Sequence, residues 1–260
     1  MDYKKELEFA TEMAKLAGGI MKKYYRNNQQ VEIKSDLSPV TIADKEINHL
    51  LIEHVQRQFS NHGVLGEEES WENDRNNLWV CDPIDGTVPY ILHVPTSVFS
   101  LALVIDGVPV VAVVYNPWVD ELYTAVKGEG AYRNEELIHV SERKWGAGVR
   151  ISAPLTIEGG LIPPEEVKAL FKQKIYVSSV FGLVHGCMTV ADGAIEARIF
   201  SYHTPHDIAA AKLIVEEAGG KVTDLQGDDQ RYDRRINGAI VTNGLVHDEL
   251  LKLVKTSKKP

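Results

Sequence analysis

An apolar run that leads directly into two closely spaced acids constrains this chain more than any other feature. In WVCDPIDGTVPYILHVP (residues 79–95), the run 78–81 ends at Asp82, and Asp85 follows after only a proline and an isoleucine. Two carboxylates at the end of a buried strand raise each other's pKa unless a cation neutralises them. The stretch therefore predicts a strand that delivers both acids to a metal-binding corner. Oxygen ligands alone favour a hard cation such as Mg²⁺.

The residues that follow the two acids favour contact with an anion. Gly86 permits a close approach of the backbone to a ligand. If a helix begins here, the amides of Gly86 and Thr87 would form a cradle for a phosphate group, because free N–H groups point out of a helix N-terminus.

Two further candidate acidic sites lie elsewhere in the chain. One is the run Glu67 to Glu69, and the other is Asp207 in HTPHDIAAAKLIVEEAGG. Thr204 is expected to cap a helix with Pro205 as its first residue, which places Asp207 in the first turn, where its charge suits the helix dipole. Taken alone, the glutamate run also fits a solvated loop and Asp207 also fits a simple helix-start acid.

The balance of charge narrows the classes of partner. The chain carries 28 Lys and Arg against 37 Asp and Glu, a formal net charge of -9. No basic patch of the kind that binds nucleic acid stands out, and the lysines of 252–259 form a short tail that we expect to be solvated. Because an acidic protein binds an anion only through local positive charge, the composition again favours a bound metal.

Cysteines and apolar runs indicate the compartment. Cys81 and Cys187 are far apart, so neither a disulfide framework nor a structural zinc site is indicated. Residues 1–19 are amphipathic and lack the apolar core of a signal peptide, and runs such as VFSLALVI are far shorter than a membrane span. We expect a cytoplasmic protein without a membrane partner.

Periodicity in the first half predicts two helices packed on a largely antiparallel sheet. Helical spacing of apolar residues covers 3–25, and a second helix begins near Thr41, which can cap it. The dipeptide Asp106-Gly107 favours a tight hairpin turn. The expected strands are a short one before the glutamate run, then 78–81, 97–105, 108–115, 121–126 and 130–134.

From about residue 146 the pattern changes to alternating strands and helices, which is typical of a layered α/β unit. We predict an α/β fold, α+β in its N-terminal part: a layered αβαβα sandwich of two tightly packed subdomains, 1–145 and 146–260, with a cleft between them. The expected strands are 148–153, 175–180, 194–200, 221–224 and 238–242, and the expected helices are 164–172, 183–191, 205–218 and 246–256.

Three motifs in a fixed order resemble those of one family. GEEES, DPIDGT and HDIAAAKLIVEEAGG are similar to the three motifs of the inositol monophosphatase family, a group of Mg²⁺-dependent, lithium-sensitive sugar and inositol phosphatases. The resemblance includes TIAD before the second helix and VYNPWVDELYTAVKGEGAYRN, so it covers nearly the whole chain. It implies a phosphatase that binds two or three Mg²⁺ ions, acts on a small phosphorylated metabolite and forms a homodimer.

The resemblance also implies a set of metal ligands. Asp82 would bridge two metals, and Asp207 would hold the second metal from the other subdomain. The full implied set is the carboxylates of Glu67, Asp82, Asp85 and Asp207 and the backbone carbonyl of Ile84.

Catalytic roles are implied in the same way. Thr87 would pair with Asp44 to orient and activate the attacking water, and Glu68 would lie beside the first-motif ligand. One Mg²⁺ would lower the pKa of that water, while the other would stabilise the leaving alkoxide. A phospho-enzyme is not required, because no nucleophilic Cys or Ser motif accompanies the acids.

The chain departs from the family pattern on the substrate side. Val88-Pro89-Tyr90 stands where Thr-Asn and an aromatic are common, and His206 stands where Trp is common. Phe200 occupies the place of a glutamate that grips a substrate hydroxyl, and residues 181–185 replace a GSAA segment. We expect a substrate wall of Tyr90, Phe200, His206 and part of 181–185, for which inositol 1-phosphate is a poor substrate.

Several functions fit these observations. The leading one is a Mg²⁺-dependent phosphomonoesterase for a small phosphorylated sugar, polyol or cyclitol. Its rivals are inositol-1-monophosphatase proper, fructose-1,6-bisphosphatase and histidinol-phosphate phosphatase, whereas Val88 argues against a nucleotide 3'-phosphatase, which usually has Lys there. A metal-binding regulatory module without turnover is the rival from outside the enzymes.

Overall fold

The computed structural model describes residues 3–154, 161–179 and 182–256 of the chain. Its helices lie close to the bounds that apolar periodicity predicts, except near residue 205, where a short 3-10 turn comes first. Among the residues described, no helix combines the length and the apolar content that a membrane crossing needs. The helices are α1 (Lys4–Tyr24), α2 (Ile42–Gln58), α3 (Thr87–Ile91), α4 (Pro164–Lys172), α5 (Leu183–Ala191), α6 (Ala209–Glu217) and α7 (His247–Thr256).

The strands of the described residues form an eight-stranded sheet, a five-stranded sheet and a two-stranded hairpin. All strands of the larger sheet precede residue 138, and all strands of the smaller sheet follow residue 149. The strands are β1 (Glu32–Ile33), β2 (Pro39–Val40), β3 (Gly63–Gly66), β4 (Ser70–Trp71), β5 (Asn77–Asp85), β6 (Val98–Ile105), β7 (Val108–Asn116), β8 (Glu121–Val126), β9 (Ala131–Arg133), β10 (Glu136–Leu137), β11 (Arg150–Ser152), β12 (Tyr176–Ser178), β13 (Ala197–Phe200), β14 (Lys221–Thr223) and β15 (Ala239–Thr242).

Strand pairing agrees with the largely antiparallel first half. β6 and β7 pair antiparallel on either side of Asp106-Gly107, whereas β3 runs parallel to β5. The predicted strand 175–180 reaches Val180, which lies outside the described residues. β1, β2, β4 and β10 were not expected, because two-residue strands carry no periodic signal. The division into subdomains 1–145 and 146–260 stays a prediction.

Side-chain alternation along the central strands explains the layers. On β6, Phe99 and Leu101 pack with α1 and α2, whereas Val98 and Ala102 pack with α5 and α6 on the other face. α5 and α6 also contact the smaller sheet, whose outer face is covered by α4 and α7. Because both faces of the larger sheet are covered, its strands read as continuous apolar runs. The layered αβαβα sandwich is confirmed.

One predicted helix is interrupted. The expected helix 205–218 divides into the 3-10 turn Pro205–Asp207 and α6, because Ile208 leaves the helical region at φ -148° and is fully buried. Thr204 precedes the turn but makes no capping hydrogen bond; its hydroxyl donates instead to the Asp207 carboxylate. Asp207 therefore lies ahead of α6 and not within its first turn.

Candidate active site

The acids of the first two motifs lie at the ends of two neighbouring strands of the larger sheet. Since β3 and β5 run parallel with Gly66 opposite Cys81, the chain leaves β3 towards Glu67 beside the acid-bearing end of β5. The 3-10 turn that carries Asp207 packs against β5 from the C-terminal half. A cavity of about 340 Å³ opens here, and its lining includes Glu67, Asp82, Asp85, Thr87 and Asp207.

A bulge in β5 brings its two acids to the same side. In a regular strand, residues three apart point to opposite faces. The pairing with β6 shifts register between Asp82 and Asp85, at the point where Pro83 cannot donate to the ladder. The extra residue turns both carboxylates into the cavity, and the backbone N–H of Ile84 donates to Asp82 Oδ1 at 3.0 Å.

Asp82 is a buried acid whose ionisation is opposed by its surroundings. The residue is 3% exposed. Burial raises its pKa well above the ordinary aspartate range, and the negative charges of Glu67, Asp85, Asp207 and Asp44 raise it further. Several acids are thus close enough to oppose each other's ionisation, which is the electrostatic state that a bound cation relieves.

Asp85 is held by the N-terminus of α5. Its carboxylate accepts the backbone N–H groups of Leu183 and Val184 at 2.9 Å each and of His185 at 3.3 Å. Burial raises the pKa of Asp85, whereas these three N–H donors lower it. Asp85 therefore links the larger sheet to the helix layer between the sheets.

A lysine that sequence reasoning missed neutralises part of the glutamate run. Lys34, in the β1–β2 hairpin, places its Nζ 2.8 Å from Glu67 and 2.9 Å from Glu68. Burial and the charge of Glu67 nevertheless leave the pKa of Glu68 raised. No local pattern links a hairpin lysine to acids more than thirty residues away, so only the folded chain reveals this contact.

The pair expected between Thr87 and Asp44 is not hydrogen-bonded. Asp44 Oδ2 accepts the backbone N–H of Thr41 at 2.8 Å and its hydroxyl at 2.5 Å, in the capping box that begins α2. The Thr87 hydroxyl instead lies 3.4 Å from the Ile84 carbonyl. Asp44 Oδ1 is buried without a partner in the described part of the chain, and burial raises the Asp44 pKa to about 7.

The carboxylates fit a hard cation by their chemistry, although they are not preassembled around one. Over residues 3–154, 161–179 and 182–256, no three His, Cys, Asp or Glu side chains already stand together as an ion site. Protein donors occupy oxygens of three of the acids: Lys34 on Glu67, Thr204 on Asp207 and the α5 amides on Asp85. Burial raises the pKa of Asp207 to about 7 despite its hydrogen bond from Thr204. The all-oxygen donor set and the opposed charges suit Mg²⁺.

The segment predicted to hold a phosphate has the expected local structure. Gly86 adopts φ +86°, a conformation that favours glycine, and α3 begins at Thr87. The N–H of Tyr90 closes the first turn on the Gly86 carbonyl at 3.0 Å. Gly86 and Thr87 both line the cavity beside the acids.

Two residues of the predicted substrate wall are absent from the observed cavity lining. Tyr90 is fully buried in the core, where its hydroxyl donates to the Met21 carbonyl at 2.8 Å, so it does not line the cavity. Its position at the fourth residue of α3 turns the ring towards α1. His206 is half-buried and also absent from the described lining, and burial lowers its pKa, which favours the neutral imidazole.

Other predicted wall residues do face the cavity. Phe200 lines it, as do Gly182 and Leu183 from the segment 181–185. Phe181 lies outside the described residues. The wall also contains Arg198, which sequence reasoning missed; its place two residues before Phe200 on β13, and so on the same face, is the signal that identifies it.

Comparison with known proteins gives one consistent result. The family model described as "Inositol monophosphatase family" matches residues 2–259. A histidinol-phosphatase from Chlorobaculum parvum is 30% identical and covers 98% of both chains, and a fructose-1,6-bisphosphatase/inositol-1-monophosphatase from Thermotoga maritima is 28% identical over 95% of both. The solved structure of a Thermotoga maritima IMPase superposes with a TM-score of 0.86 at 27% identity, covering 97% of each chain.

Proposed function

The chain belongs to the inositol monophosphatase family and is a phosphoric monoester hydrolase, and we propose that it uses Mg²⁺ to hydrolyse a small phosphorylated sugar, polyol or cyclitol. The observation that carries the proposal is Asp82, a buried carboxylate whose pKa is raised by burial and by four neighbouring acids. Such a cluster suits a phosphate monoester only when cations are present, because it would otherwise repel the substrate.

Oxygen donors from both halves of the chain would hold the metal. When bound, the ions neutralise charge on the phosphoryl oxygens and favour ionisation of the attacking water. Both halves contribute, because Asp207 reaches the cavity from the turn before α6. The proposed ligands are the carboxylates of Glu67, Asp82, Asp85 and Asp207 and the backbone carbonyl of Ile84, and two or three ions are proposed.

The chain's own groups would position the ester and the water. The amides of Gly86 and Thr87 would hold the phosphate. Asp44 would accept a proton from the water, since its Oδ1 has no partner in the described residues and its pKa is raised to about 7. The Thr87 hydroxyl would orient that water, and Glu68 would act beside the metal ligand Glu67, where Lys34 contacts both glutamates.

Family membership and the similar proteins indicate a small phosphate monoester as the substrate, but they do not identify which one. The similar proteins include enzymes named for inositol phosphate, fructose bisphosphate and histidinol phosphate. Phe200 presents no carboxylate to a substrate hydroxyl, and a site that lacks such a partner discriminates weakly in favour of that hydroxyl. We therefore propose that inositol 1-phosphate is a poor substrate. The alternative function is that of an inositol-1-monophosphatase proper.

A panel of phosphate esters tests the proposal. Phosphate release would be measured with inositol, hexose, pentose, histidinol and bisphosphate esters, with Mg²⁺ and then with excess chelator. The proposal expects hydrolysis that chelator abolishes and Mg²⁺ restores. Full activity in chelator would contradict it, and a clear preference for inositol 1-phosphate would establish the alternative.

Three further properties are proposed from the family. They are a homodimer, inhibition by millimolar lithium at the site that includes Asp207, and a cytoplasmic location in keeping with two free, buried cysteines. Light scattering, lithium titration of the Mg²⁺-supported activity and fractionation of cells would test them in turn.

A further inference from the structure

Arg198 is a buried cation that faces the cavity. The residue is 7% exposed and lines the cavity beside Phe200. One hydrogen bond anchors it, from its Nη1 to the Ser152 hydroxyl at 2.5 Å. Its Nε is buried without a hydrogen-bond partner in the residues that the structure describes.

The fold makes room for this guanidinium. β13 pairs with β11 so that Arg198 lies opposite Ser152, which is fully buried. The guanidinium packs on Gly186 of α5, where a Cβ atom, if the residue had one, would lie 2.6 Å from Nη1. A glycine at this helical position is therefore required for the observed placement of Arg198.

A buried, unpaired charge is unfavourable unless another group compensates it. Asp85 supplies part of the compensation, because its carboxylate is close enough for the two opposite charges to interact. The Asp85 oxygens are already occupied by three backbone donors of α5. Arg198 lines the cavity with a guanidinium that this interaction compensates only in part, and a planar guanidinium suits carboxylate or phosphate oxygens.

The position of Arg198 separates it from the phosphate cradle. A side-chain carbon on Gly86 would lie 3.4 Å from the Cα of Gly182, so the cradle adjoins the beginning of α5. Arg198 packs on Gly186, four residues and thus about 6 Å further along that helix. The cradle and Arg198 thus adjoin α5 at positions about one helical turn apart, and the alcohol part of an ester held in the cradle would lie between them.

We propose that Arg198 binds a second anionic group, a carboxylate or a phosphate, on the alcohol part of the substrate. The inference rests on the proposed function and specifies its substrate class: phosphate monoesters with another anion a few bonds from the ester. Arg198 is then a specificity residue, and Ser152 and Gly186 are positioning residues that act through it.

Two matched pairs of esters test the inference. Glycerol 3-phosphate and 3-phosphoglycerate differ by a carboxylate, while fructose 1-phosphate and fructose 1,6-bisphosphate differ by a second phosphate. We expect the wild-type enzyme with Mg²⁺ to prefer the anionic member of at least one pair by roughly 10- to 100-fold in kcat/KM, mainly through KM, as for a charge-assisted hydrogen bond. The pair that shows the preference distinguishes a carboxylate from a phosphate.

Substitutions then assign the preference to the guanidinium. Arg198→Met should abolish it, so that kcat/KM falls more for the anionic member of the pair than for its matched partner, and Arg198→Lys should retain part of it. Arg150→Met, two residues before Ser152 on an exposed part of β11, removes the same charge outside the cavity and should leave the preference intact. Gly186→Ala keeps the charge but displaces the guanidinium, so it should also weaken the preference.

The outcomes separate this inference from the proposed function. Absence of Mg²⁺-dependent hydrolysis of every ester overturns both. Hydrolysis without any preference in either pair overturns the inference alone. An equal loss for all esters in Arg198→Met also overturns it, since Arg198 would then contact the scissile phosphate. If Arg198→Met fails to fold, Gly186→Ala and Arg198→Lys decide between these outcomes.

Discussion

The cavity has two walls that the chain builds differently. The acid wall, formed by Glu67, Asp82 and Asp85, lies at the ends of two neighbouring strands, β3 and β5. The far wall, formed by Arg198 and Phe200, belongs to β13 of the other sheet. Residues of the acid wall lie in short motifs because one bulged strand must aim two carboxylates together, whereas the far wall needs only side chains that face inward. The acid wall is thus formed within two short segments of sequence, whereas the far wall depends on packing between the halves.

The largest expected effect falls on the acid wall. Asp85→Asn should lower kcat by about 100- to 1,000-fold, the scale for loss of one main electrostatic stabiliser. Asp106→Asn, in an exposed turn, removes the same charge and should retain full turnover. Steady-state rates with Mg²⁺, with circular dichroism to verify folding, would measure both. Near-normal turnover in Asp85→Asn would contradict the assignment of catalysis to the acid wall and of selectivity to the far wall.

The second expected effect concerns the water. Thr87→Ala and Asp44→Asn should each lower kcat by about 100-fold with little change in KM, the scale for proton transfer by a positioned side chain. Because the two residues would act on one water, the double variant should lose far less than the product of the single losses. Multiplicative losses would contradict the pair. Asp44→Asn also alters the capping box, so thermal melting must show that α2 persists.

A smaller effect, on Mg²⁺ affinity, should follow when the ion pairs between Lys34 and the glutamate run are removed. Lys34→Gln removes two ion pairs of about 2.8 to 2.9 Å that compete with a cation for Glu67 and Glu68. Since partly exposed ion pairs contribute about 1 kcal/mol, Mg²⁺ affinity should rise about 5-fold in titration calorimetry. Lys15→Gln, which breaks an exposed pair with Asp120, is the matched control. Weaker binding in Lys34→Gln would mean that the lysine positions the glutamates for the ion.

The smallest expected effect falls beside the far wall. His206→Ala should raise KM by no more than about 3-fold and leave kcat and Mg²⁺ affinity little changed, because the imidazole is absent from the described cavity lining and can contribute at most one ordinary hydrogen bond. Burial lowers the His206 pKa, so this change in KM should not grow as the pH rises from 6 to 8. His203→Ala, at an exposed neighbour, is the control. A large loss of kcat would mean that His206 acts in catalysis together with the residues of the acid wall.

Much of the fold could be predicted because its signals are local. The run from Leu78 to Cys81 alternates between two buried faces, and Thr41 with Asp44 forms the capping box at the beginning of α2. The helix at Thr87 follows from Gly86, whose positive φ the sequence allows. Each signal depends on residues within one turn or one strand, so no distant partner was needed to interpret it.

The sequence by itself determined the layered α/β fold, the family and the acids that occupy the ends of β3 and β5. Only the tertiary structure decided which side chains face the cavity. Tyr90 turned into the core, Lys34 reached the glutamate run, and Arg198 entered the cavity over Gly186. These contacts join residues far apart in the chain, and their energies depend on burial and on the distance between charges, which are properties of the packed molecule and not of any short segment.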